Sequence, residues 1–339
     1  MGSGTWSTTT YTTREEARRL AGRSAFAYSD TVTSSLPRHA WRAHKTLDPK
    51  GVALRESRDS IEHPESVGVA VLFDVTGSML GIPVTLQQKL PELLGLLIRK
   101  DYIQHPQILF GAIGDATCDR VPLQVGQFES DNRMDENLEN IVLEGGGGGH
   151  DTESYELALY FMARHTGLDC LDVRGKKGYL FVIGDERAYP QVSRRQIAAV
   201  IGDRLQTDIP LADLMAELKR RYEVFYILPR GASHGGERTI LDSWRRYLGQ
   251  NVLELDDPAA VCETIALSIG LCEGAIDLAG GLADLADWGA GAGAGASVST
   301  ALGVYAASAP STAVVACGSA GLPGLAAPRA IGGPATRRL

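Results

Sequence analysis

The sequence predicts an α/β fold: a doubly wound, mostly parallel six-stranded sheet with one antiparallel edge strand and helices on both faces. Three observations carry that reading. Apolar runs such as Val67-Gly68-Val69-Ala70-Val71-Leu72-Phe73 and Tyr179-Leu180-Phe181-Val182-Ile183 are continuous, not alternating, as in strands buried on both faces. Between them lie stretches of helical periodicity, such as Leu86, Leu90, Leu93, Leu94, Leu97 and Ile98, which form one apolar helix face. Strand-like and helix-like segments then alternate through residues 67–273, the order that gives parallel strands joined by right-handed crossovers.

Residues 1–66 are polar and uneven, with a short helix expected within 13–28. They read as an extension that packs on the core. After the first strand comes the leucine-rich helix; Pro83 suits its first turn, whereas Pro91 should kink or split it. Residues 107–116 read as a second strand and 123–129 as a third, close enough to follow as the antiparallel edge. A short helix is expected at 135–143, and another carries Leu157, Phe161 and Met162. The strand at 178–185 ends on Asp185, and Ser193 with Gln196 forms a capping box for the next helix. Pro210 opens a helix with Leu211, Leu214, Met215 and Leu218 inward. A strand at 222–228, a helix at 239–248, a strand at 251–255 and a last helix capped by Asp257-Pro258 complete the core at residue 273. From 274 to 339 the composition changes: no charged residue lies between Asp287 and Arg329, and Ala and Gly dominate. Such a chain is expected to be a mostly disordered tail, because little burial is available to offset about 1–2 kcal/mol of ordering entropy per residue.

A net charge of −8 argues against a nucleic-acid or anionic-membrane surface. Cys118, Cys170, Cys262, Cys272 and Cys317 are widely spaced and form no C-x-x-C pair, which favours free thiols in a reducing compartment. The start carries no basic-then-apolar leader pattern, and no long uninterrupted apolar window occurs. A cytoplasmic protein is therefore expected.

The stretch that points to function is Asp74-Val75-Thr76-Gly77-Ser78-Met79, directly after the first strand. Alternation along an extended chain puts Asp74, Thr76 and Ser78 on one side. Their position is the carboxyl end of the strand, where open α/β sheets bind ligands. One acid with two hydroxyls suits a hard, oxygen-seeking cation such as Mg²⁺. Taken alone, the motif reads more readily as a polar turn in which Ser78 caps the next helix. Two later features join it: Thr152, ahead of a helix, and Asp185, at the end of the later strand. If the two strands are neighbours, all these loops open on one edge. The glycine run 145–149 lacks the G-x-G-x-x-G and Gly-Lys-Ser/Thr patterns of phosphate cradles. It reads instead as a loop needing positive φ and close backbone approach. His150 stands alone, and no nucleophile-elbow sequence accompanies a Ser/His/Asp set.

Across residues 67–272 the motif and the element order resemble the von Willebrand factor A (vWA) family, a Rossmann-like fold. Its metal-ion-dependent adhesion site (MIDAS) uses Asp-x-Ser-x-Ser, a distant Thr and a distant Asp. The resemblance implies that Thr76 and Ser78 ligate the metal through their hydroxyls. It implies that Asp74 and Asp185 act through water or as charge-compensating ligands, and that Thr152 is the loop ligand. The loop Gly149-His150-Asp151-Thr152-Glu153-Ser154 is longer than the usual Gly-Gly-Thr, so Asp151 and Glu153 are alternatives to Thr152, which reads equally as a helix N-cap. Asp115, ending the second strand in Ile113-Gly114-Asp115, reads as a turn acid or as a support for the ligands. The implied cofactor is Mg²⁺, or else Mn²⁺ or Ca²⁺. The implied function is protein binding, not catalysis: a partner, such as an AAA-type ATPase or another member of a complex, supplies an Asp or Glu to the metal. The motif is also similar to the Asp-x-(Asp/Thr)-Gly-Thr start of haloacid-dehalogenase-type phosphotransferases. There Asp74 would be a phosphorylated nucleophile and Gly184-Asp185 would bind magnesium, but Arg187-Ala188-Tyr189-Pro190 lacks the second acid that family wants.

Overall fold

Val67–Asp74 is buried along its whole length, and every other element of the core is placed relative to it. The structure, a computed structural model, describes residues 4–79, 81–146 and 151–308. The main sheet consists of β1 (Val67–Asp74), β2 (Pro106–Ile113), β3 (Leu123–Val125), β4 (Gly178–Ile183), β5 (Tyr222–Pro229) and β6 (Val252–Leu255). Its order is β6-β5-β4-β1-β2-β3. All neighbouring pairs are parallel except β2 with β3, so the mostly parallel six-stranded sheet and its antiparallel edge agree with the sequence reading. Asp74 lies opposite Ile113 of β2, and Phe73 opposite Ile183 of β4. The chain leaves β1 toward β2 on one side and β4 toward β5 on the other, so its progression reverses between β1 and β4.

The continuous apolar runs are explained by two separate apolar layers. Val69, Val71 and Phe73 enter one, and Ala70 and Leu72 enter the other. The first layer includes Leu86 and Leu90 from the segments after β1, and Ile265 and Ile269 from the helix Val261–Glu273. The leucine-rich stretch divides into Ile82–Gln88 and Leu90–Leu94, with Pro91 in the first turn of the second piece. There its missing N–H removes no helical bond. The second layer is built by Tyr155–Arg164, Arg194–Val200, Leu211–Leu218 and Arg238–Leu248. Ser193 caps as expected, accepting from the Gln196 amide.

The N-terminal segment forms two helices, Thr8–Leu20 and Ala27–Ser35, with a break at Gly22, whose φ is +65°. A buried ion pair anchors the first: Arg18 donates to both oxygens of Asp135 (2.9 and 3.2 Å), which also accepts from Gln87 Nε2. Arg55–Ser57 pairs in parallel with Thr166–Leu168, outside the main sheet. Among the described residues no helix is long and apolar enough to cross a membrane, and Cys118, Cys170, Cys262 and Cys272 are free thiols.

The tail expectation fails up to residue 308. Leu278–Asp287 and Ala292–Ser308 are helices, and Leu285, Val298 and Leu302 are buried in the first apolar layer. The composition that suggested disorder is compatible with packing, because uncharged small side chains let helices approach closely without stranding polar groups. Trp288 lies against Gly95, where a Cβ would collide with its ring. Tyr305 meets Phe225 edge-on at 5.4 Å. The rest of the expected tail, 309–339, lies outside the described residues. Leu302→Ala should therefore lower unfolding stability by about 2–5 kcal/mol, the range for a buried leucine. Chemical denaturation measures this, and an unchanged midpoint would contradict the packing of this helix.

Candidate metal centre

At the carboxyl end of β1 the chain turns sharply, and the turn is made by Asp74 itself. Its Oδ1 accepts from the Thr76 amide (2.7 Å) and from Thr76 Oγ1 (2.6 Å), while Oδ2 accepts from the Tyr155 hydroxyl (2.8 Å). Thr76 Oγ1 lies 3.2 Å from Ser78 Oγ, which in turn donates to Asp185 Oδ1 (2.8 Å). The second oxygen of Asp185 accepts from the His234 amide (3.0 Å). Because β1 and β4 are neighbours, their two terminal acids are thus linked through a pair of hydroxyls. Asp74, Thr76 and Asp185 are buried, and Ser78 is half-buried.

A hydroxyl has one proton to give. Thr76 gives its proton to Asp74 and Ser78 gives its own to Asp185, so with both acids ionised none remains for the contact between the hydroxyls. Lone pairs then face each other across 3.2 Å, an arrangement that a hard cation between them would stabilise. Two glycines permit it. Gly77 donates to the Gly146 carbonyl (2.7 Å), and Gly145, at φ +60°, donates to Val75 (3.1 Å), which ties the glycine run to the motif loop. A Cβ on Gly184 would collide with the Tyr155 hydroxyl, so the residue before Asp185 keeps open the place from which Tyr155 reaches Asp74.

The charge balance around this point is one-sided. Burial pushes Asp74 up to about 6, and the charge of Asp185 adds to the effect while bonds from Thr76 and Tyr155 oppose it. Glu153 is fully buried, neither carboxylate oxygen has a hydrogen-bond partner, and its pKa rises to about 10. Burial is the main cause, followed by the charges of Asp74, Glu186, Asp115 and Asp119. Glu186 rises to about 8 through burial and through Asp74 and Asp185. Among the described residues none of Asp74, Glu153, Asp185 and Glu186 forms an ion pair; the arginines of this edge are engaged elsewhere, Arg187 with Asp151 and Arg38 with Asp119 and Glu144.

Of the residues expected at the site, the structure joins Asp74, Thr76, Ser78 and Asp185 in one network. Thr152 is not bonded into it among the described residues. Thr152–Glu153 pairs in parallel with Arg187–Ala188, and successive side chains of a strand point to opposite faces. The Thr152 hydroxyl accordingly meets its neighbour Asp151 (3.4 Å), whereas the Glu153 carboxyl is raised, after burial, chiefly by the charge of Asp74. The loop alternatives divide in the same way: Asp151 pairs with Arg187, which leaves Glu153 as the inward acid. Asp115 makes a second Asp-x-Thr turn at the end of β2, accepting from the Thr117 amide (2.8 Å) and hydroxyl (2.5 Å) and from Ser154 Oγ (3.3 Å). Tyr155 was not anticipated, and only Gly184, directly after a strand, hints at it. His150 and glycines 147–149 lie outside the described residues.

The oxygen atoms this edge brings together are those of two carboxylates and two hydroxyls, with the buried, unpartnered Glu153 as a third acid. Among the described residues no group of three or more His, Cys, Asp or Glu side chains that could hold a metal ion occurs; a cation here would rest on the two hydroxyls as well as on the carboxylates, the oxygen donors that hard cations take.

No protein-family model matches the chain, and no curated protein sequence matches it. Among solved structures it is similar to the pilus adhesin SpaC of Lactobacillus rhamnosus GG in an open conformation, with a TM-score of 0.43 and 10% identity over 64% of this chain and 31% of that one. It is also similar to proximal thread matrix protein 1 of the mussel byssus, with a TM-score of 0.39 and 12% identity over 63% of this chain and 48% of that one. The chain therefore matches less than half the length of either protein.

One consequence of the buried acids is a pH dependence. Glu156 is fully buried on the helix beginning at Tyr155; burial lifts its pKa from 4.5 to about 8, against the backbone amides of Glu156 and Tyr189 and with Asp115 adding. The folded state holds this proton more tightly than the unfolded chain, so the stability penalty is absent below 4.5, grows up to about 8 and is complete above it. Glu156→Gln should flatten the fall in stability over that window, read as melting temperature against pH. Parallel profiles for the two proteins would show that Glu156 is ionised and compensated in the fold.

Proposed function

We propose that residues 67–273 form a doubly wound vWA-type domain that holds a divalent cation at the carboxyl edge of the sheet and binds a protein through that cation. Mg²⁺ is the favoured ion, with Mn²⁺ or Ca²⁺ as alternatives. The observation that carries the reading is the hydroxyl pair, Thr76 and Ser78, set between two buried carboxylates beside the unpartnered Glu153. The reversal between β1 and β4 supports it, since open α/β sheets place ligands in the crevice at such a point. In this reading Thr76 and Ser78 ligate the ion, Asp74 and Asp185 compensate its charge, and Glu153 takes the loop position first assigned to Thr152. Such an ion keeps open positions for water, and a hard anionic oxygen is the natural replacement for one of them. The partner therefore presents an Asp or Glu. An AAA-type ATPase or another member of an assembly is the class that the family resemblance suggests.

The phosphotransferase reading has less support. Both oxygens of Asp74 are engaged, by Thr76 and by Tyr155, and the side chain is fully buried, which leaves no oxygen poised to attack a phosphoryl group.

Metal binding to the folded state alone adds about 1.4 kcal/mol of stability when free ion is about tenfold above its dissociation constant. Mg²⁺ should raise the melting temperature, chelator should reverse the rise, and Asp185→Ala should abolish the response. Ser78→Ala should weaken it while the fold holds. A melting temperature indifferent to both metal and chelator would contradict the proposal, and beryllium fluoride captured on Asp74 would favour the phosphotransferase.

A further inference from the structure

A cavity of about 370 Å³ opens beside the helix Arg238–Leu248, within the size range of small-molecule sites. Ile240, Leu241, Trp244 and Leu248 bury one stripe of that helix. Ser243, Arg246 and Tyr247 stand together beside the stripe, because residues three and four apart share a helix face, and all three line the cavity. The remaining lining includes Thr152, Leu211 and the segment from Arg187 to Pro190. The Leu211 amide donates to the Pro190 carbonyl (2.9 Å), which ties the last two together.

No Asp or Glu is among the described lining residues; Asp151, Glu153 and Glu156, near Thr152 in the chain, are not part of it. The two arginines of the lining differ. Both bonds from Arg187 to Asp151 leave from Nη2, which balances its charge and leaves Nη1 without a hydrogen bond among the described residues. Arg246 is exposed and makes no ion pair or side-chain hydrogen bond among the described residues, although Asp242 lies one turn earlier on the same helix. The Tyr247 hydroxyl has no hydrogen bond among the described residues either. In a chain of net charge −8, the cavity thus carries one guanidinium charge that no described acid offsets, beside apolar and aromatic surface from Tyr189, Pro190, Leu211 and Trp244. A guanidinium fork matches a carboxylate in shape and charge, and one unbalanced cation calls for one negative charge.

We propose that this cavity is a binding site for a small aromatic monocarboxylate. Its carboxylate is held by Arg246, with Arg187 Nη1 and the Tyr247 hydroxyl as further donors in the lining. Its ring lies against the tyrosines, since aromatic pairs gain beyond the area they bury. The site stands without the cation reading, because none of Asp74, Thr76, Ser78 and Asp185 lines the cavity.

Three probes test this with the full chain and no added metal: 2-naphthoate, its neutral amide 2-naphthamide, and 2-naphthyl phosphate, which carries more charge. Affinity is read by calorimetry, and the place of binding by backbone amide shifts at Ser243 and Tyr247. The acid should shift both amides saturably and bind about tenfold tighter than the neutral amide, the worth of one hydrogen bond to a charged group. Arg246→Gln should erase that preference with the melting temperature unchanged. Arg238→Gln, at an exposed position of the same helix outside the lining, should keep it. Equal affinity for acid and amide, a preference lost alike in both variants, or no saturable shift at Ser243 and Tyr247 would each overturn the site. Tighter binding of the phosphate would overturn the assignment to a singly charged ligand.

Discussion

The constraint on which the site depends is the desolvation of several like charges at one edge of the sheet. Asp74, Glu153, Asp185 and Glu186 are all nearly or wholly removed from water, and no lysine or arginine among the described residues pairs with any of them. Taking a carboxylate out of water without a partner is expensive. Such groups respond by holding protons, as the upward shifts of Asp74, Glu153 and Glu186 record, or by sharing a cation. The hydroxyls of Thr76 and Ser78 direct their protons outward to the flanking acids, which leaves their lone pairs facing each other. The same arrangement in an exposed loop would be an ordinary turn.

Much of this was legible in the sequence because the signals were positional. An acid that ends an uninterrupted apolar strand has one place to be in a parallel sheet, and two such strands, ending near Asp74 and Asp185, are neighbours. Pro91 divided its helix because its ring admits only a first-turn position. What was not legible depends on contacts distant in sequence. Whether Thr152 or Glu153 faces the centre is decided by a two-residue pairing with Arg187–Ala188, and a one-residue slip exchanges the faces. Tyr155 matters because Gly184, from another strand, leaves room for its hydroxyl.

The C-terminal helices show the opposite limit of composition as a guide. A low-complexity Ala/Gly stretch carries little periodic signal, and its order comes from a few anchors. Leu285, Val298 and Leu302 enter the first apolar layer, Ser297 accepts from the Asp257 amide at 2.8 Å, and Asp284 takes bonds from Lys100 and Tyr102 (2.9 Å each). These partners lie on the same side of the sheet as the segments that follow β1, so the helices brace the scaffold that presents the motif loop.

The most direct test of the account is anomalous diffraction from crystals of the full chain grown with Mn²⁺. A single strong peak bounded by Thr76, Ser78, Asp74 and Asp185, with the Glu153 carboxylate turned toward it, is the expected result. Density that leaves the Thr76–Ser78 contact without an ion at saturating Mn²⁺ would contradict it.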